Sequence, residues 1–276
     1  MTTRRLVRFE SVDGSQVVTF GGAAYNWQTD EQFRLSLESV AAADWAFDGW
    51  GSGVAPLAPA AERVSWLIRG ATEAALETEY SAIRAKLLRI GRGYLIRRDA
   101  DGTERRALAR PAMMPLITRS PGQGLTLPVN LEFRRLSHWE ALTPTTGSTT
   151  ATTTSHAFTI TNPGDVAVDA VVFRLRANSA GPTNDPSLAN TTTGFTISTT
   201  RDLTHADHEI RIDTGRWAVE WSTNDGATYA SDWQFASLGS GQVGMMRLAP
   251  GANSFTLTTG GSPNVTVEWS FFARYA

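Results

Sequence analysis

Turn signals cut residues 156–276 into short pieces, and this limits the fold more than any other feature of the chain. Asn162-Pro163-Gly164-Asp165, Asn224-Asp225-Gly226, Pro250-Gly251-Ala252-Asn253 and Gly260-Gly261-Ser262-Pro263 combine residues that accept left-handed backbone with prolines that fix φ. The segments around them are rich in Thr, Val, Ile and aromatics. They read as strands over 157–161, 167–175, 194–199, 209–213, 217–222, 244–248, 254–258 and 264–273. So many short strands with regular turns predict a jelly-roll or related β-sandwich.

The first half has a different character. Leu76, Tyr80, Ile83, Leu87 and Ile90 follow one another at steps of four and three, which draws one apolar stripe on a helix over 72–90. Thr72 is placed to cap its start and Gly91 to end it. Glu73, Glu77 and Glu79 in the N-terminal half, and Arg84, Lys86 and Arg89 in the C-terminal half, suit the helix dipole. Alternating strands surround it at 33–38, 64–69, 94–98, 103–108, 113–119 and 125–135. The whole chain therefore reads as mainly β: strands, one α-helix and meandering strands, then a sandwich.

Between the halves, residues 143–155 hold no charge and no large apolar side chain. Nothing there offsets the entropy of ordering. The expected organisation is a domain over 1–142, a Thr-rich linker over 143–155 and a domain over 156–276. The first domain carries a net charge of +2 and the region from 143 onward -4. A chain with net charge -2 and pI near 6.1 is not expected to coat nucleic acid. No apolar run reaches the roughly 18 residues that span a membrane, and the first ten residues lack the apolar core of a signal peptide. The expectation is a soluble protein that inserts in no membrane and binds no specific nucleic acid.

The residues give little sign of catalysis. There is no cysteine, so thiolate metal sites and cysteine nucleophiles are excluded. His205-Ala206-Asp207-His208-Glu209 has the donor types of a metal site, but on a strand the two histidines point to opposite faces and no third spaced ligand follows. It reads as a solvated turn, and no metal or cofactor is expected. No Gly-x-Ser-x-Gly elbow is present. Ser222-Thr223-Asn224-Asp225-Gly226-Ala227-Thr228-Tyr229 resembles the Asp-box hairpin of propellers, a structural turn and not a catalytic one.

Three groups of residues are candidates for recognition. Trp217, Trp221, Tyr229 and Trp233 gather around one hairpin. Aromatic faces of this kind hold sugar rings, or they fill a sandwich core; Trp217, Val219 and Trp221 would share one strand face. Residues 41–61 carry Trp45, Phe47 and Trp50 among glycines and prolines without any period. They read either as a loop folded on its own domain or as an arm packing on a neighbouring subunit. Arg97, Arg98, Arg105 and Arg106 lie on the facing strands of a hairpin closed by Asp99-Ala100-Asp101-Gly102. Like charges opposite one another destabilise a lone hairpin, so these arginines are either solvated or matched by carboxylates of a second subunit.

The order of these features resembles the distal tail proteins (Dit) of long-tailed, siphovirus-type bacteriophages. The residues that carry the resemblance in the first half are Val64-Ser65-Trp66-Leu67-Ile68-Arg69-Gly70, the helix through Tyr80 and Leu87-Leu88, Gly91-Arg92-Gly93-Tyr94-Leu95, and Leu131-Glu132-Phe133 through Trp139. In the second half they are Thr161-Asn162-Pro163-Gly164, Glu209-Ile210-Arg211-Ile212-Asp213-Thr214, Leu248-Ala249-Pro250-Gly251-Ala252-Asn253, and Val265-Thr266-Val267-Glu268-Trp269 with Tyr275. Ser137-His138 and the Thr-rich stretch depart from the family pattern.

The resemblance implies an N-terminal belt domain, a β-sandwich with one helix that builds a ring, followed by a jelly-roll or galectin-like sandwich. It also implies a structural virion protein at the distal end of the tail, without catalytic residues. Its implied partners are itself, as a hexameric ring, the tail tube protein, and the tail hub, tail-associated and tape-measure proteins. In that setting Trp45, Phe47, Trp50 and the four hairpin arginines are the candidate assembly interface. The alternative is a carbohydrate- or receptor-binding protein acting on a cell-surface glycan through its second sandwich. A polysaccharide-degrading enzyme is a third.

Overall fold

A computed structural model describes residues 5–20, 61–113, 125–178, 183–242 and 244–275. Its contacts divide the chain into two units, with the main boundary between Leu142 and Thr143. Trp45, Phe47 and Trp50 lie outside the described residues.

The first unit contains β1 (Arg5–Ser11), β2 (Val17–Thr19), β3 (Ala61–Arg69), α1 (Glu73–Ile90), β4 (Gly93–Arg98), β5 (Glu104–Met113), β6 (Thr126–Arg135) and β7 (Trp139–Ala141). All their pairings are antiparallel. β2, β1, β4 and β5 follow one another across the sheet. The far edge of β5 meets β7 at Arg105–Arg106 and β6 from Ala109 onward, and β6 pairs β3 along nine residue pairs. Strand alternation sends Val64, Trp66 and Ile68 of β3, and Leu127, Val129, Leu131 and Phe133 of β6, into the core. There Phe9 meets Phe133 with ring centroids 4.8 Å apart, and Phe20 meets Trp66 at 5.3 Å.

The helix forms where the apolar stripe lies. Leu76, Tyr80, Ile83, Leu87 and Ile90 are its buried residues. The Thr72 side chain accepts a hydrogen bond from the Ala75 amide at 3.2 Å, and Gly91 ends the helix with φ 56°, a conformation costly for a residue with a Cβ. Packing against β2 and β3 keeps the helix on the sheet's inner face, leaving Glu73, Glu77 and Glu79 exposed.

The second unit contains β8 (Thr145–Ala151), β9 (Ser155–Asn162), β10 (Val171–Ala177), β11 (Thr183–Asn190), β12 (Phe195–Thr199), β13 (Glu209–Asp213), β14 (Ala218–Ser222), β15 (Ala230–Ser231), β16 (Ala236–Leu238), β17 (Gly251–Gly261) and β18 (Val265–Phe271). One sheet runs β15-β14-β13-β10-β18-β8, and the other β16-β12-β11-β17-β9. Rings from the two sheets meet between them: Phe173 of β10 lies 5.6 Å from Phe255 of β17, and Phe158 of β9 stacks on Trp269 of β18 at 5.7 Å. The fold class read from the sequence, mainly β with one helix and a sandwich, is the one observed.

Buried asparagines hold the turns of this sandwich. Asn253 accepts from the Ala249 amide at 2.8 Å and donates to the Ala249 carbonyl at 2.9 Å, closing the Pro250–Gly251 turn. Asn162 accepts from the Gly164 amide and donates to the Val166 carbonyl, both at 3.0 Å. Thr214 donates to the Asp169 carbonyl and accepts from the Val171 amide. Each side chain satisfies backbone groups that a turn leaves unpaired, which is why these motifs recur at the ends of strands.

The linker expected over 143–155 is corrected by the structure. Thr145–Ala151 is β8, paired with β18 at every residue from Thr145↔Phe271 to Ala151↔Val265, and Ser155 already begins β9. Composition misleads here because the ordering is repaid by a partner distant in sequence. β-branched threonines favour the extended chain, β18 supplies the backbone ladder, and the Trp269 indole lies over Gly147. A Cβ built on Gly147 would stand 2.4 Å from that ring. Gly147→Val is therefore expected to lower the stability of the second unit by about 1–3 kcal/mol, as overpacking does. Denaturant unfolding checks this, and hydrogen exchange should show the Thr145–Ala151 amides protected rather than open.

Candidate functional site

The hairpin arginines come first, because the structure changes their reading. Register sets Arg97 opposite Arg105 and Arg98 opposite Glu104. Arg97 is only 1% exposed, with its guanidinium 4.3 Å from the centre of the buried Trp139 ring. Asp99, in the turn between the strands, lies 2.9 Å from Arg97 and 3.1 Å from Arg105. Glu104 takes Arg98 at 2.5 Å and Arg8 at 2.8 Å, which holds its carboxyl below the usual carboxylate range, the Arg98 hydrogen bond leading. Arg106 lies over the Tyr94 ring at 4.6 Å and 3.9 Å from Glu140. Of the two readings, solvated or matched by a second subunit, neither foresaw these carboxylates in the same chain. Arg97, buried against Trp139, has no surface to offer a neighbour.

The aromatic group is also divided. Glu220 points to the outer face of its sheet, where it meets Arg211 at 2.5 Å, so the alternate residues Val219 and Trp221 point inward. Val219 is fully buried. Trp221, at the strand end, is covered by His208, edge-on at 4.7 Å, and by Arg201 at 5.3 Å. Arg201 also stacks over Phe235 at 3.8 Å and holds the buried Asp232 at 2.6 Å. Tyr229 belongs to the outer face. Its hydroxyl donates to the buried Glu209 carboxylate, and Arg211 lies 3.7 Å above its ring. Burial first, and this hydrogen bond next, push the phenol up to about 12.

Trp217 takes neither face. It sits in the turn before β14 with φ 55° and is 57% exposed. A non-glycine residue in this conformation is held there by its surroundings. Asp213 accepts from the Arg216 amide at 3.0 Å and from the Arg216 guanidinium at 2.6 Å. The Trp233 indole N–H donates to the Trp217 carbonyl at 2.9 Å. Of the four aromatics expected to share a surface, only Trp217 and Trp233 are joined directly, and the strand-face alternation predicted for Trp217 breaks at its positive φ.

The Asp-box-like turn is a hairpin turn. Asn224 accepts from the Ser222 hydroxyl at 2.8 Å and the Thr228 amide at 3.0 Å, and Ser222 accepts from the Gly226 amide at 3.0 Å. His205 and His208 meet edge to face at 4.9 Å. Among the described residues no group of three or more His, Asp or Glu is placed to hold a metal ion.

The fold and surface together define a two-unit β-protein, one unit a sheet carrying a single helix and the other a sandwich whose outer charges are matched across strands. No family model and no curated protein matches the chain. Among solved structures, it is similar to the Dit protein (gp 19.1) of phage SPP1, described as a paradigm of the hub adsorption apparatus in phages infecting Gram-positive hosts. The TM-score is 0.60 and the identity 11%, over 98% of this chain and 99% of that one. Two structures of the phage p2 baseplate in its activated conformation, with strontium and with calcium, give TM-scores of 0.43 and 0.44 at 11% and 12% identity, over 99% of this chain. The match to the SPP1 protein shows a Dit-like fold for the described residues of both units.

Burial lowers the His208 imidazole below its ordinary value of 6.5; His205 and Arg201 act in the same direction and Asp207 opposes them. The unfolded chain then binds this proton more readily than the folded one. The contribution to stability is complete above pH 6.5 and is lost as pH falls through the lowered value. His208→Gln should flatten the fall in stability of the second unit below pH 6.5, as read from denaturant midpoints measured across the acid range.

Proposed function

We propose that this chain is a structural protein of a phage virion, at the distal end of the tail, where it forms a ring joining the tail tube to the baseplate and host-adhesion machinery. The observation that carries this reading is the two-way coverage of the likeness to the SPP1 Dit protein, 98% of this chain and 99% of that one. A shared sandwich alone would match one unit; here both units, in the same order, align. On this reading the chain is not an enzyme, takes no cofactor, and works through contacts with its own copies, the tail tube protein, and the hub, tail-associated and tape-measure proteins. The ring is a hexamer, the stoichiometry that the family resemblance implies.

Sedimentation and native mass measurement of the purified chain test the reading, with negative-stain imaging of the product. A closed ring of six copies is the expected result. A chain that stays monomeric at high concentration, alone and with tail tube protein, would overturn it.

A second reading is favoured by one observation, the exposed Trp217 fixed by Asp213, Arg216 and Trp233. A rigid indole plane beside charged hydrogen-bonding groups suits stacking on a sugar ring. If the second unit also contacts a cell-surface glycan, Trp217→Ala should abolish glycan-array signals and leave thermal stability nearly unchanged. An array on which the unaltered protein gives no signal would remove this reading.

A further inference from the structure

Many outward arginines of this protein have a carboxylate on a neighbouring strand. On the outer face of the second unit, β18, β10, β13 and β14 present Glu268, Arg174, Arg211 and Glu220 in register, so each arginine has a carboxylate on one side. In the first unit Arg63 of β3 faces Glu132 of β6 and binds it at 2.9 Å. Arginines face arginines elsewhere, Arg97 opposite Arg105, Arg5 opposite Arg98 and Arg174 opposite Arg211, but in each of those pairs at least one side chain holds a carboxylate; in one further pair neither does. Arg110 of β5 stands directly opposite Arg134 of β6. Both are exposed, and neither has an ion pair or hydrogen bond among the described residues. Exposed Arg92 extends the group, since it immediately precedes Gly93, whose partner Ala109 is the neighbour of Arg110. Like charges directly opposite on paired strands oppose folding. An arginine fork without a partner is suited to carboxylates brought from outside.

The same unit carries the complement. Ala109 and Arg135, adjacent to Arg110 and Arg134, are buried, so the two arginines point outward, while α1 packs against β2 and β3. The outward surface of α1 presents Glu73, Glu77 and Glu79 in its first half. One unit thus bears unmatched cations on β5 and β6 and exposed carboxylates on α1. A ring is built by heterologous contacts, in which two different patches of one subunit meet on its neighbours.

Resting on the ring reading above, we propose that Arg110 and Arg134, with Arg92, form the contact that receives the acidic half of α1 from the next copy of this chain. The contact sets the direction of the ring: helix to sheet, copy after copy. Being partly exposed and ionic, it steers and orients association and weakens with salt.

Charge exchange in the full-length chain is the test. Arg110→Glu with Arg134→Glu should weaken assembly about tenfold or more, as should Glu77→Arg with Glu79→Arg. Combining all four changes in one chain should restore assembly, and mixing the two double variants should give hetero-assemblies. Thermal midpoints of the monomers serve as the folding control; should a double variant fail to fold, Arg110→Gln with Arg134→Gln replaces it, expected to weaken assembly less. Assembly indifferent to either double variant, or not restored by the combination, overturns this contact and leaves the ring intact. An unaltered chain that forms no ring overturns both. Variants that assemble normally but lose salt-sensitive retention of a DNA oligonucleotide would assign the arginines to phosphate and overturn the self-contact.

Discussion

Antiparallel register governs this molecule. Once two strands pair, every outward charge acquires a fixed neighbour about 4.5–5.5 Å away on the next strand, and the identity of that neighbour decides whether the surface is quiet or in need of something. The Arg211–Glu220 contact between β13 and β14, the Arg63–Glu132 contact between β3 and β6, and the Asp99 carboxylate shared by Arg97 and Arg105 are all consequences of register. The same rule explains why the sandwich core fills with Phe173, Phe255, Phe158 and Trp269: the residues alternating with those charges have no other place to go.

Buried polar groups do a second kind of work. Arg97 and Arg135 lie over the same Trp139 ring, at 4.3 and 5.3 Å, with Glu62 3.4 Å from Arg135. A guanidinium in such a site is stabilised by ring faces and carboxylates together, and removing one partner costs more than the pair contributes. In the sandwich, the asparagines and Thr214 spend their hydrogen bonds on turn backbones. These residues explain the resemblance motifs physically: they mark where a strand must end and the chain must reverse. They are signatures of a fold, and the likeness to the SPP1 Dit protein at 11% identity is a likeness of that fold.

The proposed tail-tip role asks little of catalytic chemistry and much of surfaces. The core aromatics and the turn asparagines find their contacts within the chain. Three features stand at the surface: the exposed Trp217, the Arg110–Arg134 pair, and the exposed glutamates of α1. The Trp217 turn is held by Asp213, Arg216 and Trp233, which lowers the entropy lost on contact with a partner.

Much of this fold was legible in the chain itself. The steps from Leu76 to Ile90 define the helix to its buried residues, since a 3.6-residue period needs no knowledge of the partner surface. Turn residues mark the strand ends, because left-handed backbone selects glycine and asparagine locally. Where sequence reasoning failed, the deciding partner was remote. Thr145–Ala151 looked like a linker because β18, which orders it, lies more than a hundred residues away. The hairpin arginines looked unmatched because tertiary register brings their partners: Asp99 takes Arg97 and Arg105, Glu104 takes Arg98 together with Arg8, and Glu140 lies by Arg106. Trp217 looked like core because alternation was assumed to continue through a residue whose φ is positive. Arg110 and Arg134, twenty-four positions apart in the sequence, become neighbours only through the β5–β6 register. Local periodicity and turn chemistry are properties of a stretch of chain and can be read from it. Which charge meets which, and which side chain is left uncovered, depends on pairings between distant segments, and only the tertiary structure decides those.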